Sequence, residues 1–122
     1  MKKLLLASVL TAATLTSGIV NAANYKVDVE GAHAFINFKI KHLGYSWLSG
    51  RFNDFDGEFD YDENKLDASK IQVVIQTGSL DSNHAERDKH LKGKDFLDVA
   101  RFPTATFTST AYKASDENSG EL

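Results

Sequence analysis

"HAFINFKIKH", residues 33–42, alternates apolar and polar side chains almost without a break. Ala34, Ile36, Phe38, Ile40 and His42 fall on one side, and Asn37, Lys39 and Lys41 on the other. Successive side chains leave a strand on opposite faces, so a period of two predicts a β-strand with one face covered and one in water. A helix would need its apolar residues three and four apart.

The same period recurs along the chain. In "DFDGEFDYD", residues 54–62, Phe55, Gly57, Phe59 and Tyr61 face one way, and Asp54, Asp56, Glu58, Asp60 and Asp62 the other. "KIQVVIQT", residues 70–77, turns Ile71, Val73, Ile75 and Thr77 inward. "TATFTSTAY", residues 104–112, alternates Thr with Ala105, Phe107 and Ser109. Tyr25 to Asp28 adds a short fifth strand. Gly-, Asn- and Asp-rich turns separate these runs, as hairpins require, and "ASDENSG", residues 114–120, is a polar turn after which "SGEL" starts a return strand. "HLGYSWLSGRF", residues 42–52, reads as a loop carrying Tyr45, Trp47 and Leu48. Aromatics there serve either as the lip of a ligand mouth or as core. His42 shares the apolar face and is expected to be buried and satisfied.

Period-two acids raise the question of calcium. An EF-hand loop needs Gly at its sixth position and Glu at its twelfth. Counted from Asp54 these are Phe59 and Lys65, and counted from Asp60 they are Lys65 and Ile71. Neither fits, and a solvated outer face accounts for the acids.

One stretch breaks the period. Ser79 to Asn83 offers several helix N-caps, with Glu86 three residues after Asn83. A short helix is expected from about His84 to Lys92, ending near Gly93. Asp95 to Val99 adds a further turn. His84, Glu86, Arg87, Asp88 and His90 crowd into this helix and resemble catalytic machinery. Zinc ligands on a helix favour H-x-x-x-H with a third ligand, whereas these histidines are six apart and turn to different faces. A hydrolase needs a nucleophile beside its base, and Ser79 and Ser82 qualify only by proximity. The structural alternative has Arg87 and Asp88 hydrogen-bonding loops and strand ends, pinning the helix across one end of a barrel.

The first 22 residues read as an address. Lys2 and Lys3 precede an uncharged run, Leu4 to Val20, and Val20-Asn21-Ala22 presents a small-residue cleavage site. A secretory signal peptide, residues 1–22, is expected, and with it a periplasmic location. Without those two lysines the net charge of −3 becomes −5. So acidic a chain does not suit nucleic acid or anionic membrane surfaces. There is no cysteine, so the fold rests on apolar burial without disulfides.

Three segments carry a resemblance: "HLGYSWLSGRFNDFDG" (42–57), "SLDSNHAERDKHLKGKDFLD" (79–98) and "RFPTATFTST" (101–110). In order and spacing they closely resemble the YceI-like family of exported bacterial proteins. The resemblance implies a mainly β fold, an antiparallel lipocalin-like β-barrel with a short helical insertion between strands. It also implies an apolar interior that holds a long polyisoprenoid, such as an isoprenoid quinone or polyprenyl compound. Residues 23–122 would then be the N-terminal part of the domain, with closing strands expected beyond Leu122, since eight strands of ~9 residues with turns need well over ~100 residues. The lining expected on this reading is Ala34, Ile36, Phe38, Ile40, Phe59, Ile71, Val73, Ile75 and Phe107. No cofactor, metal, nucleic acid or integral membrane segment after cleavage is expected. The competing functions are a metal-dependent or hydrolytic enzyme using His84, Asp88 and His90, and a ligand-free, stress-related interaction module.

Overall fold

The structure is a computed structural model and describes residues 23–116 and 119–122. The expected signal peptide, residues 1–22, lies outside the described residues. Nine strands and one short α-helix are described: β1 (Ala23–Lys26), β2 (Ile36–His42), β3 (Ser46–Phe52), β4 (Phe55–Tyr61), β5 (Lys70–Gln76), β6 (Leu80–Asp81), α1 (Ala85–Leu91), β7 (Thr104–Thr108), β8 (Lys113–Ala114) and β9 (Gly120–Glu121). All strand pairs are antiparallel. One sheet runs β1-β4-β5-β7, a second β2-β3-β6, and β8-β9 form a small hairpin.

Register shows how the period-two pattern is used. In the first sheet Tyr25 lies opposite Phe59, Phe59 opposite Ile71, Val73 opposite Gly57 and Phe107, and Phe55 opposite Ile75. Directly opposed residues share a face, so these form one apolar face. The reverse face is polar, with Lys26 opposite Glu58 and Asp60 opposite Lys70. In the second sheet the inner pairs are Ile36–Phe52, Phe38–Gly50, Ile40–Leu48 and Phe52–Leu80. The outer face carries Asn37, Lys39, Lys41, Trp47, Ser49 and Arg51.

The two sheets share one bent ribbon. Phe52 pairs with Leu80 and Phe55 with Ile75, so three steps on one strand are matched by five on the other. The surplus is taken up by a 3-10 turn, Thr77–Ser79. Bonds from Asn53 N to Ser79 O (3.2 Å) and from Gln76 N to Asp54 O (2.9 Å) carry the ladder through the bend. Thr77 is buried there, and its hydroxyl donates to Phe102 O at 2.6 Å. The buried apolar side chains, Phe55 (9% exposed) and Leu80 (5%), flank this corner. The tight interior therefore sits at the bend, and the apolar faces spreading from it stay partly open. No closed barrel forms among the described residues: β2 and β7 each pair along one edge only.

Four readings change. Trp47 and Leu48 belong to strand β3, not to a loop. Alternation is hard to see there because the inner position 50 is glycine: a Cβ on Gly50 would overlap the Phe38 ring. His42 is exposed at the end of β2, not buried. Asp62 lies just past β4 and is buried, its carboxylate accepting from Asn64 N at 2.9 Å. The helix is capped by His84, not Asn83. Asn83 adopts a left-handed φ of 61° while its N–H donates to Asp81 Oδ1 at 2.8 Å.

Candidate functional site

The two apolar faces are the chemically distinctive surface of this chain. On β2, Ile36 and Phe38 are half-buried, and Phe38 tilts against Phe52 with ring centroids 5.6 Å apart. Phe59 stacks on Tyr25 at 5.1 Å. Further along the same faces, Ile40 (50% exposed) and Phe107 (48%) are open. Ala34 precedes β2 and is half-buried.

A cavity of ≈ 650 Å³ opens between the second sheet and α1. Ile40, His42 and Leu48 form its sheet side, and Arg87, His90, Leu91 and Phe96 its helix side. A smaller cavity of ≈ 190 Å³ lies at the other sheet, lined among others by Phe59, Ile71, Leu66 and Tyr112. Of the nine lining residues expected from the sequence, the large cavity takes Ile40 and the small one Phe59 and Ile71. Ile36, Phe38, Val73, Ile75 and Phe107 share those apolar faces without lining either cavity. The helix side was not anticipated. Its signal was the spacing of Arg87, His90 and Leu91, three and four apart on one helix face.

The residues that resembled catalytic machinery have other partners. His84 Nδ1 accepts from Arg87 N at 3.2 Å as the helix N-cap. His90 meets Phe96 edge-on at 4.9 Å. Asp88 accepts from Ser82, from its N–H at 2.9 Å and its hydroxyl at 2.5 Å. Arg87 donates to the same residue, Nε to Ser82 Oγ at 2.8 Å and Nη2 to Ser82 O at 2.6 Å. Ser82 is buried immediately after β6, so Arg87 and Asp88 clamp the helix to the strand end, as the sequence suggested. No cluster of three His, Asp or Glu suited to a metal is present among the described residues.

The Ser82 hydroxyl hydrogen bond, aided by the Ser82 amide and by Lys92 and Arg87, holds the Asp88 carboxyl below its ordinary value of 3.8, against a smaller opposing effect of burial. A depressed folded pKa gives stability that is present above the unfolded value and lost as pH falls through the folded one. Acid melts are expected to show this loss below about pH 3.8, with Asp88→Asn flattening that part of the profile. An unchanged acid limb in Asp88→Asn would show that the clamp is not ionic.

No helix among the described residues is long and apolar enough to cross a membrane. A family model described as the YceI-like domain matches residues 25–122. A UPF0312 protein of Pseudomonas aeruginosa is 58% identical over 118 residues, covering 97% of this chain and 62% of its own length. A UPF0312 protein of Yersinia enterocolitica is 59% identical over 115 residues, covering 94% and 60%. This chain thus spans under two thirds of the length of these relatives. Among solved structures, Burkholderia cenocepacia BcnA superposes with a TM-score of 0.67 at 25% identity, covering 73% of this chain and 54% of its own. The Campylobacter jejuni YCEI protein gives 0.57 at 35%, covering 79% and 55%. Bent antiparallel sheets, an inserted helix clamped at a strand end and a match over nearly all described residues agree: the chain belongs to the YceI-like family.

Proposed function

We propose that this protein is an exported binding protein, not an enzyme, and that its apolar faces hold the tail of a long isoprenoid, an isoprenoid quinone or polyprenyl compound. The observation that carries this is the openness of an otherwise well-formed apolar surface. Ile40 and Phe107 lie on faces whose reverse sides carry the charges, yet each is about half exposed. Isolated exposed hydrophobics are ordinary, but a contiguous apolar face marks a binding surface. A strand of seven residues offers ~20 Å of such surface, which suits an extended chain. Each buried CH₂ contributes ~0.8 kcal/mol, so a long tail is held without any charged anchor. The clamp on Ser82 occupies Arg87 and Asp88 with structure, which supports a non-catalytic reading of the helix.

Mass spectrometry of organic extracts from the purified protein tests the proposal. A co-purifying isoprenoid at near-stoichiometric amount is expected; clean extracts together with bound metal would favour the enzyme reading instead. For export, the proposal places the mature N-terminus at Ala23. N-terminal sequencing of periplasmic material reads this directly, and an intact Met1 there refutes it.

A further inference from the structure

The chain is acidic overall, yet its charge is unevenly placed. From Gly31 to Asn53 there is no Asp or Glu, while Lys39, Lys41 and Arg51 are all present. This segment contains the whole β2–β3 hairpin, and the three basic residues share its outer face. Net charge averaged over the chain hides a cationic hairpin on an anionic body.

The tip of that hairpin is apolar and exposed. Leu43 is 70% exposed, Tyr45 81% and Trp47 57%. Lys39 Nζ lies 4.7 Å from the centre of the Trp47 ring and Lys41 Nζ 6.0 Å. Such contacts leave the tryptophan held in a collar of positive charge. The turn is strained as well. Leu43 has φ of 51° and Gly44 of 83°. Glycine takes that conformation freely, whereas a bulky side chain there is a strained outlier. A leucine in an exposed turn, where glycine would relieve strain, gains nothing from packing.

We propose that the β2–β3 tip is a docking device for anionic phospholipid bilayers. Trp and Tyr rings settle at the headgroup level of a membrane, Leu43 reaches the acyl boundary, and Lys39 and Lys41 face the negative surface. An acidic protein ligand would match the charge, but it supplies no apolar layer for a protruding Leu, Tyr and Trp. The tip adjoins the ≈ 650 Å³ cavity, whose rim includes His42, Ser46 and Trp47, so docking would turn that opening toward the lipid. The inference does not depend on which molecule the protein carries: vesicle binding and ligand extraction succeed or fail separately.

Trp47 is the single tryptophan of the sequence, so its emission reports this site alone. The mature protein, beginning at Ala23, is titrated with vesicles of phosphatidylglycerol and phosphatidylcholine, and with phosphatidylcholine alone. With the anionic vesicles, Trp47 emission should move to the blue and be quenched by brominated acyl chains. Both effects should fade between about 0.05 and about 0.5 M salt as screening shortens. A juxtamembrane lysine contributes about 1 kcal/mol, about fivefold in affinity, so Lys39→Ala/Lys41→Ala should weaken partitioning about thirtyfold. Leu43→Gly separates docking from folding: it should keep or raise Tm and still weaken binding at least about fivefold, because it relieves strain while removing the inserted side chain. The proposal is overturned if quenching is absent. It is equally overturned if quenching is the same with phosphatidylcholine alone, at high salt or in the double variant, or if the tip ignores vesicles and captures a protein instead.

Discussion

Phe38→Asp is expected to destabilise the protein by about 3–5 kcal/mol and to abolish isoprenoid retention. The ring packs against Phe52 and fills the space over Gly50, where no side chain can stand. Truncating a packed Phe costs about 3–5 kcal/mol by itself. Phe38 is only half-buried, which places the truncation cost toward the lower end. The new carboxylate then adds a desolvation penalty, because the neighbouring inner positions, Ile36, Ile40, Leu48 and Phe52, carry no donor or positive charge. Against a total stability of about 5–15 kcal/mol for a domain, a loss of this size moves the urea midpoint far down or unfolds the protein. Asn37→Asp, one residue away, is the control. It adds the same charge to the outer face opposite Arg51 and should change stability by no more than about 0.5 kcal/mol. Urea denaturation and solvent extraction of both variants decide the matter. A Phe38→Asp protein as stable and as ligand-loaded as its control would mean that the inner face is not the binding face.

Arg87→Ala is the second large effect, at about 1.5–3 kcal/mol. The guanidinium donates to both the hydroxyl and the carbonyl of Ser82, and that residue is buried. Removing the donor leaves the Ser82 carbonyl short of a partner and takes away one of the two positive charges, with Lys92, that act on Asp88. His84→Ala should cost only about 0.5 kcal/mol, since its single capping bond is long, at 3.2 Å, and exposed. Paired thermal melts test the ranking. If His84→Ala proves the more damaging change, or stoichiometric zinc is found and lost with either histidine, the helix is a site and not a plug.

Strands β2, β4, β5 and β7 were legible because each sets apolar residues against polar ones at a spacing of two. β3 was not, for two local reasons. Gly50 removes an apolar signal from the inner face, a substitution forced by the Phe38 ring on the neighbouring strand. Trp47 puts a large aromatic on the outer face, where alternation predicts a polar residue. Both exceptions depend on partners distant in sequence or on a surface role, which no single-strand pattern contains. Helix α1 was legible to within a residue at each end, but its cap was not. Asn83 is the better capping residue by preference, yet its left-handed backbone and its bond to Asp81 use it to turn the chain one residue earlier. The expected lining rests on facing alone. Facing correctly groups Phe59 with Ile71 and Val73 with Phe107. The spacing of Arg87, His90 and Leu91 marks one helix face, but facing says nothing of where α1 lands, so that this face, with Phe96, walls the large cavity is not readable from the sequence.

The corner between the sheets carries a rule of parity. Three steps on one strand meet five on the other: each count is odd, so each strand's inside–outside rhythm shifts by one residue across the bend, from Phe52 to Phe55 and from Ile75 to Leu80, and the even mismatch keeps the two strands in phase with each other. One extra residue among Thr77–Ser79 would reverse that phase. Leu80 would swing toward water and Asp81 toward the apolar trough, and the Ser82 anchor of the helix would shift with them. Two extra residues would restore the rhythm and lengthen only the turn. Among proteins built on this bent ribbon, insertions and deletions at the corner should therefore come in twos.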